Sequence, residues 1–286
     1  MLDEKLIALI TEEVVRQLTK SGRVVLPDRA PLEGESARPL ENGPGSDRLL
    51  EDPLDPEALE RMKKRTTARI GVGKAGARLK THTLLALRAD HARAQDSVFA
   101  DVDPAFIERL GLLSIESQAR DRNTHITRPD LGRKICPKGV EALRQHCMAN
   151  PDVQIYASDG LSSAAIEANL EKILPVLQEG LAAKGLTVGT PFYMRFGRVA
   201  AEDQVAEVLG AKVVCVLIGE RPGLATAESM SAYIVYNSYV GIPEAKRTVV
   251  SNIHKDGLTA VEAGAYICEV IEQILQRKAS GVDLVK

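Results

Sequence analysis

The stretch Val213-Val214-Cys215-Val216-Leu217-Ile218, followed by Gly219-Glu220-Arg221-Pro222-Gly223-Leu224, decides the fold. An unbroken apolar run this short suits a strand buried on both faces, as in a parallel sheet. The run stops at a Gly- and Pro-containing turn that leaves a carboxylate and a guanidinium at the strand's carboxyl end. In open α/β sheets that edge is where ligands bind. The plainer alternative is an ordinary βα loop with solvated charges, since most such loops bind nothing.

Neighbouring segments extend the pattern. Val153-Gln-Ile-Tyr-Ala157 reads as a strand ending at Ser158-Asp159-Gly160, with Ser162 or Ser163 as a helix cap. Ile166, Leu170, Ile173, Leu174, Leu177 and Leu181 trace one helical face up to Gly185. Phe192 to Phe196 is a further strand, followed by Gly197-Arg198-Val199 and a short helix closed by Gly210. Tyr233-Ile-Val-Tyr236 is another strand, and a long helix from about Thr259 to Lys278 closes the chain. Repeated β-α-β units predict an α/β fold, an open and mostly parallel sheet with helices on both faces.

Upstream the character changes. Leu2, Leu6, Leu9, Ile10, Val14 and Leu18 form the apolar stripe of an amphipathic helix over residues 1–20, with an acidic opposite face. Residues 21–47, carrying Pro27, Pro31, Pro39 and Pro44, read as a disordered linker. Such a tethered helix either docks on its own protein or serves as a docking peptide for another surface. Residues 48–105 are expected to form a small helical domain. Phe106 to Leu113 reads as a bridge into a second domain, residues 106–286. The charge-dense run Arg120 to Arg133 reads as a solvated or intersubunit face, with His125 and Asp130 as less favoured catalytic candidates.

Composition narrows the function classes. The 286 residues are 44% hydrophobic and 27% charged, with a net charge of −2. That balance fits a soluble globular protein and offers no global attraction to nucleic acid or an anionic membrane. No apolar run approaches the roughly 18 residues of a membrane span. The four cysteines lack paired spacing, and Cys215 and Cys268 fall in apolar patterns, so they read as small core residues in a reducing interior.

Two motifs invite stronger readings. Gly71-x-Gly73-x-x-Gly76 matches a dinucleotide-binding fingerprint and raises the alternative of an NAD(P)-binding oxidoreductase. The segment ahead of it, Glu60 to Thr67, is polar and helical, so the strand that motif requires is missing. Asn252-Ile-His254-Lys-Asp-Gly257 is one residue from the Asp-x-His-x-x-Gly of some cobalamin proteins, but Asn stands where the aspartate would tune the histidine. His254 is therefore set aside as a cobalt ligand. No Walker A, GxSxG, HExxH or paired-cysteine pattern occurs, which favours binding a large polar ligand over hydrolysis.

Six segments, in order, carry a specific resemblance: Thr67 to Arg78, Thr127 to Arg133, Ser158 to Ser162, Phe196 to Val199, Gly219 to Leu224 and Ser251 to His254. Through them the chain resembles the small (light) subunit of ethanolamine ammonia-lyase. That resemblance implies a helical region followed by a Rossmann-like domain. It implies a TIM-barrel large subunit as partner in a higher hetero-oligomer, with adenosylcobalamin between the two, deaminating ethanolamine by a radical route. It places cofactor contacts at Val199, Glu220 and Val249, the last a departure from the Cys found in related chains. It assigns no catalytic residue and no metal ligand to this chain. It also implies packing in a bacterial microcompartment through the N-terminal helix, or otherwise a cytoplasmic location. A non-catalytic cargo or scaffold protein is the remaining alternative.

Overall fold

The computed structural model describes residues 50–284 apart from 51 and 67, so the expected helix over 1–20 and linker over 21–47 lie outside the described residues. Helix α1 (Pro56–Lys63) starts on Asp55, whose carboxylate accepts the Ala58 amide, with Pro56 where a missing N–H costs nothing. A small hairpin follows, β1 (Lys74–Ala75) against β2 (Arg78–Leu79). The chain continues through α2 (Thr81–Phe99), α3 (Pro104–Arg109), β3 (Leu113–Glu116), α4 (Arg122–Thr127), α5 (Pro129–Gly132) and α6 (Pro137–His146). Then come β4 (Val153–Ser158), α7 (Ser163–Ala183), β5 (Phe192–Arg195) and α8 (Ala201–Leu209). The remaining elements are β6 (Val213–Gly219), β7 (Met230–Tyr236), β8 (Thr248–Ile253) and α9 (Ala260–Arg277).

Strands β3-β5-β4-β6-β7-β8, in that order, form a six-stranded sheet. The first four pair in parallel; β7 runs antiparallel to both β6 and β8. Every residue of β4 and β6 is buried, as continuous apolar runs in the middle of a covered sheet require. One face, carrying Cys215, Leu217, Ile234 and Val250, packs on α7 and α9 through Leu170, Ile173, Ile267 and Ile271. The other, carrying Tyr156, Phe192, Val214 and Val216, packs on α6 and α8 through Leu143, Val205 and Leu209. Each such aliphatic side chain, fully buried, stabilises the fold by roughly 1.5–3 kcal/mol. Thr259 and Glu262 cap α9 reciprocally, and Gly210 closes α8 in a left-handed conformation.

Four local expectations change. The loop after β6 is a connection between antiparallel strands, not a βα loop, because residues 220–229 hold no crossover helix and so cannot return the chain in parallel. Phe106 to Leu113 is not a bridge: Phe106 and Ile107 of α3 are buried in the core, and Leu113 opens the edge strand β3. The run Arg120 to Arg133 is only partly solvated, since Arg122 and His125 are buried. Gly71, Gly73 and Gly76 precede and turn the β1–β2 hairpin, with Gly71 at φ 71° and Gly76 at φ 63°. That is not the strand-to-helix turn a dinucleotide fingerprint needs.

Candidate functional site

Register aligns the strand ends. Ser158 lies beside Met194 and Ile218, Gly219 opposite Met230, and Met230 opposite Ile253. The segments that begin at Asp159, Phe196, Glu220 and His254 therefore emerge from one edge of the sheet. Two of them meet backbone to backbone: Leu161 N–H donates to Gly219 O at 3.0 Å. A Cβ on Gly219 would lie 2.1 Å from Ser162 O, so this approach requires glycine.

The loop carrying Glu220 is held at its base. Glu220 N–H donates to Ser229 O, Ser162 Oγ to Ala227 O, and Asn169 Nδ2 to Glu228 O. Arg69 reaches across to Leu224 O at 3.2 Å. Between these anchors Arg221 and Leu224 stay exposed.

Pairing also creates a row of side chains across one face: Leu113, Phe192, Tyr156, Val216, Tyr233 and Val249, each opposite the next. Directly paired residues share a face and touch; the Tyr156 and Phe192 rings stack with centroids 4.9 Å apart. Val249, at the outer end, is 45% exposed. Beside it the Tyr233 hydroxyl donates to Glu220 Oε1 at 3.0 Å. Burial, and then the Glu220 charge and hydrogen bond, push the Tyr233 phenol up to about 12, so it remains a donor at neutral pH. Val199 is half-buried and packs on the same cluster as Tyr233. Of the three positions singled out from sequence, Glu220 and Val249 are joined through Tyr233, while Val199 lies against the same apolar cluster as Tyr233.

Two buried networks hold these segments. Asp159, fully buried, accepts the Phe196 amide at 2.7 Å and the Arg122 guanidinium at 2.8 Å. Phe196 sits at φ 58°, in the left-handed region, and this turn delivers Arg198 and Val199 to the edge. The Arg122 and Arg195 guanidiniums lie over the Phe196 ring at 4.8 and 4.5 Å. His125 is buried alongside with Nε2 2.7 Å from Gly160 O. Burial pushes the imidazole down to about 4, so it is neutral and donates there. In the second network Arg247, two residues before Val249, bonds Glu202 and Asp203 in the first turn of α8, just after Val199. Burial raises the Glu202 carboxyl despite the attraction of Arg247. This pair fixes the start of β8 against the start of α8.

His254 is occupied locally. Asp256 N–H donates to Nδ1, which leaves Nε2 as the donor to Asn252 Oδ1 at 2.8 Å. Asp130 is exposed and bound to Arg128 on its own helix turn, away from any partner acid or base. Among the described residues no group of three His, Cys, Asp or Glu side chains could hold a metal, and no helix is long and apolar enough to cross a membrane.

Sequence reading missed Tyr233 as a site residue, because its importance rests on register with Val216 and Val249. It also missed Arg122 and Arg247, and it named Asp159 only as a strand-end residue, since their partners lie 37 to 45 residues away in the chain. For Asp159 the Ser-Asp-Gly at a strand's carboxyl end was the available signal; for Arg247 there was none.

Fold and edge together define a mixed α/β protein whose carboxyl-end edge carries acceptors, guanidiniums and an apolar shelf. The family model of the ethanolamine ammonia-lyase light chain matches residues 56–285. The chain is 56% identical over 236 residues to the ethanolamine ammonia-lyase small subunit of Clostridium perfringens, covering 82% of this chain and 80% of that one. It is 54% identical over 235 residues to the small subunit of Fusobacterium nucleatum and 51% over 236 to that of Clostridioides difficile, at the same coverage. The chain belongs to the ethanolamine ammonia-lyase light-chain family.

Proposed function

We propose that this chain acts as the small subunit of an ethanolamine ammonia-lyase and forms one wall of an adenosylcobalamin site shared with a large subunit. The carrying observation is identity above half over about four-fifths of both chains, with relatives that bear that name. In this reading residues 48–105 form a small helical region and 106–286 a Rossmann-like domain. The large subunit is a TIM barrel, the assembly is a higher hetero-oligomer, and the N-terminal helix targets a microcompartment shell within an otherwise cytoplasmic setting.

The residues present suit a corrinoid. The rim of cobalamin carries amide side chains, and Glu220 offers an acceptor-only carboxylate whose Oε1 is already oriented by Tyr233. Val249, partly exposed, and Val199 supply apolar surface beside it. When bound, the cofactor would supply the radical chemistry that converts ethanolamine to acetaldehyde and ammonia. This chain's part is to bind, orient and exclude water. The decisive experiment measures ethanolamine turnover and visible-absorbance titration with adenosylcobalamin for the large subunit with and without this chain. Turnover and saturable binding that require both chains are expected. Equal turnover by the large subunit alone would defeat the reading.

A further inference from the structure

Three guanidiniums, those of Arg198, Arg221 and Arg133, lie near enough for the charges of the latter two to act on the first, and among the described residues none has a carboxylate of its own. Arg198 follows the Phe196 turn and precedes Val199; Arg221 follows Glu220; Arg133 follows Gly132. Among the described residues none of the three forms an ion pair. Asp159, the nearby acid, is taken by Arg122 and the Phe196 amide.

Arg198 is built into place. Its N–H donates to Gly132 O at 2.8 Å, and its Nη2 to His125 O at 2.7 Å. Its stem lies so close to Gly132 that a Cβ there would come within 2.7 Å of Arg198 Cγ. Its Nε is buried and has no partner. The acceptor its guanidinium meets is a neutral carbonyl, and among the described residues no carboxylate pairs with it directly. Burial, and then the positive charge of Arg221, make its charge harder to keep; Asp159 offsets this in part, and Arg133 and Arg122 add to it. Holding like charges near a half-buried guanidinium is unfavourable unless an anion arrives.

We infer that Arg198 and Arg221, with Arg133 behind Gly132, receive a phosphodiester anion, the phosphate in the nucleotide loop of the cobalamin whose corrin rim meets Glu220. The inference rests on the cofactor reading above and extends it from the corrin to the tail. The chemistry is selective: a guanidinium presents a planar fork that matches phosphate oxygens, and a phosphodiester is the one anionic group that cobalamin carries. Arg198 and Arg221 adjoin Val199 and Glu220 in the chain, so corrin and phosphate would be gripped by the same two loops.

The test compares two corrinoids on the complex with the large subunit. Adenosylcobalamin has the phosphate; adenosylcobinamide lacks the whole nucleotide loop. Dissociation constants are read from visible absorbance for wild type, Arg221→Gln, Arg133→Gln and Arg198→Gln. Arg221 and Arg133 are exposed, so those two variants keep the test valid if Arg198→Gln fails to fold. Each substitution at Arg198 or Arg221 is expected to weaken adenosylcobalamin binding by roughly tenfold or more. The same variants should bind adenosylcobinamide as wild type does, and Arg198→Lys should recover part of the loss. Equal loss on both corrinoids would overturn the inference and assign the cluster to the corrin or to the other subunit. No loss on either would overturn it as well. A wild-type complex that binds neither corrinoid would instead overturn the cofactor reading itself.

Discussion

The Tyr233 hydroxyl donates to Glu220 Oε1 at 3.0 Å, from a residue paired on one side with Val216 and on the other with Val249. One hydrogen bond thus connects the loop after β6 to the outermost strand. It also aims Glu220 by fixing one of its carboxylate oxygens.

Glu220→Ala should weaken adenosylcobalamin binding by roughly 1.5–3 kcal/mol, the usual cost of losing a hydrogen bond to a charged group. Tyr233→Phe should produce a smaller loss in the same direction, because Glu220 remains but is no longer aimed. Absorbance titration of the heteromeric complex checks both, and unchanged affinity in Glu220→Ala would remove it from the site.

Stability against pH should reveal a cancellation between Asp159 and His125. Burial raises Asp159 from 3.8 to about 6, opposed by Arg122, and lowers His125 from 6.5 to about 4. Between pH 4 and 6 the folded chain keeps a proton on Asp159 that the unfolded chain has lost, so this contribution falls as pH rises. Over the same range the unfolded chain keeps a proton on His125 that the folded chain lacks, so that contribution grows as pH rises. Relative to wild type, Asp159→Asn should gain stability with rising pH in this window and His125→Gln should lose it, each by up to about 1.4 kcal/mol per pH unit. Urea midpoints measured from pH 4 to 7 decide it; parallel curves for all three proteins would contradict the assignment.

Arg247→Ala should destabilise the chain by roughly 3–5 kcal/mol, since it strands Glu202 and Asp203 in the interior. Glu202→Gln should cost far less, because burial already resists ionisation there. Thermal unfolding of the two variants distinguishes them, and equal losses would refute the proposed division of roles.

His254→Ala should leave the visible and electron paramagnetic resonance spectra of the loaded complex unchanged, as both ring nitrogens are engaged within the loop. A change in the axial nitrogen signature would show that His254 does reach cobalt.

Much of this was legible in the sequence, for identifiable reasons. Strands β4 and β6 are fully buried, so their apolar runs announced them, and the Gly219 turn marked the edge. Helix α7 showed its buried face at regular spacing. What stayed hidden depends on contacts between distant segments. Strand β3 is four residues at the sheet's edge, with one buried side chain, Ile115, too little pattern to distinguish it from a loop. The reversal of β7 follows from a missing helix, which apolarity cannot register. Arg122 and His125 look solvated in a charged run and are buried only because Asp159 and Gly160 meet them from another strand's end. Val199, Glu220 and Val249 were reached through resemblance; the link from Glu220 to Val249 through Tyr233 required the register.

The reversal after β6 has one further consequence. Where a parallel strand leads into a helix, the free amides of its first turn give the ligand edge a fixed positive character. No helix begins in the loop after Gly219, so within that loop polarity is carried by side chains. A loop made this way can be re-signed by single substitutions at Glu220 or Arg221, whereas a helix terminus cannot.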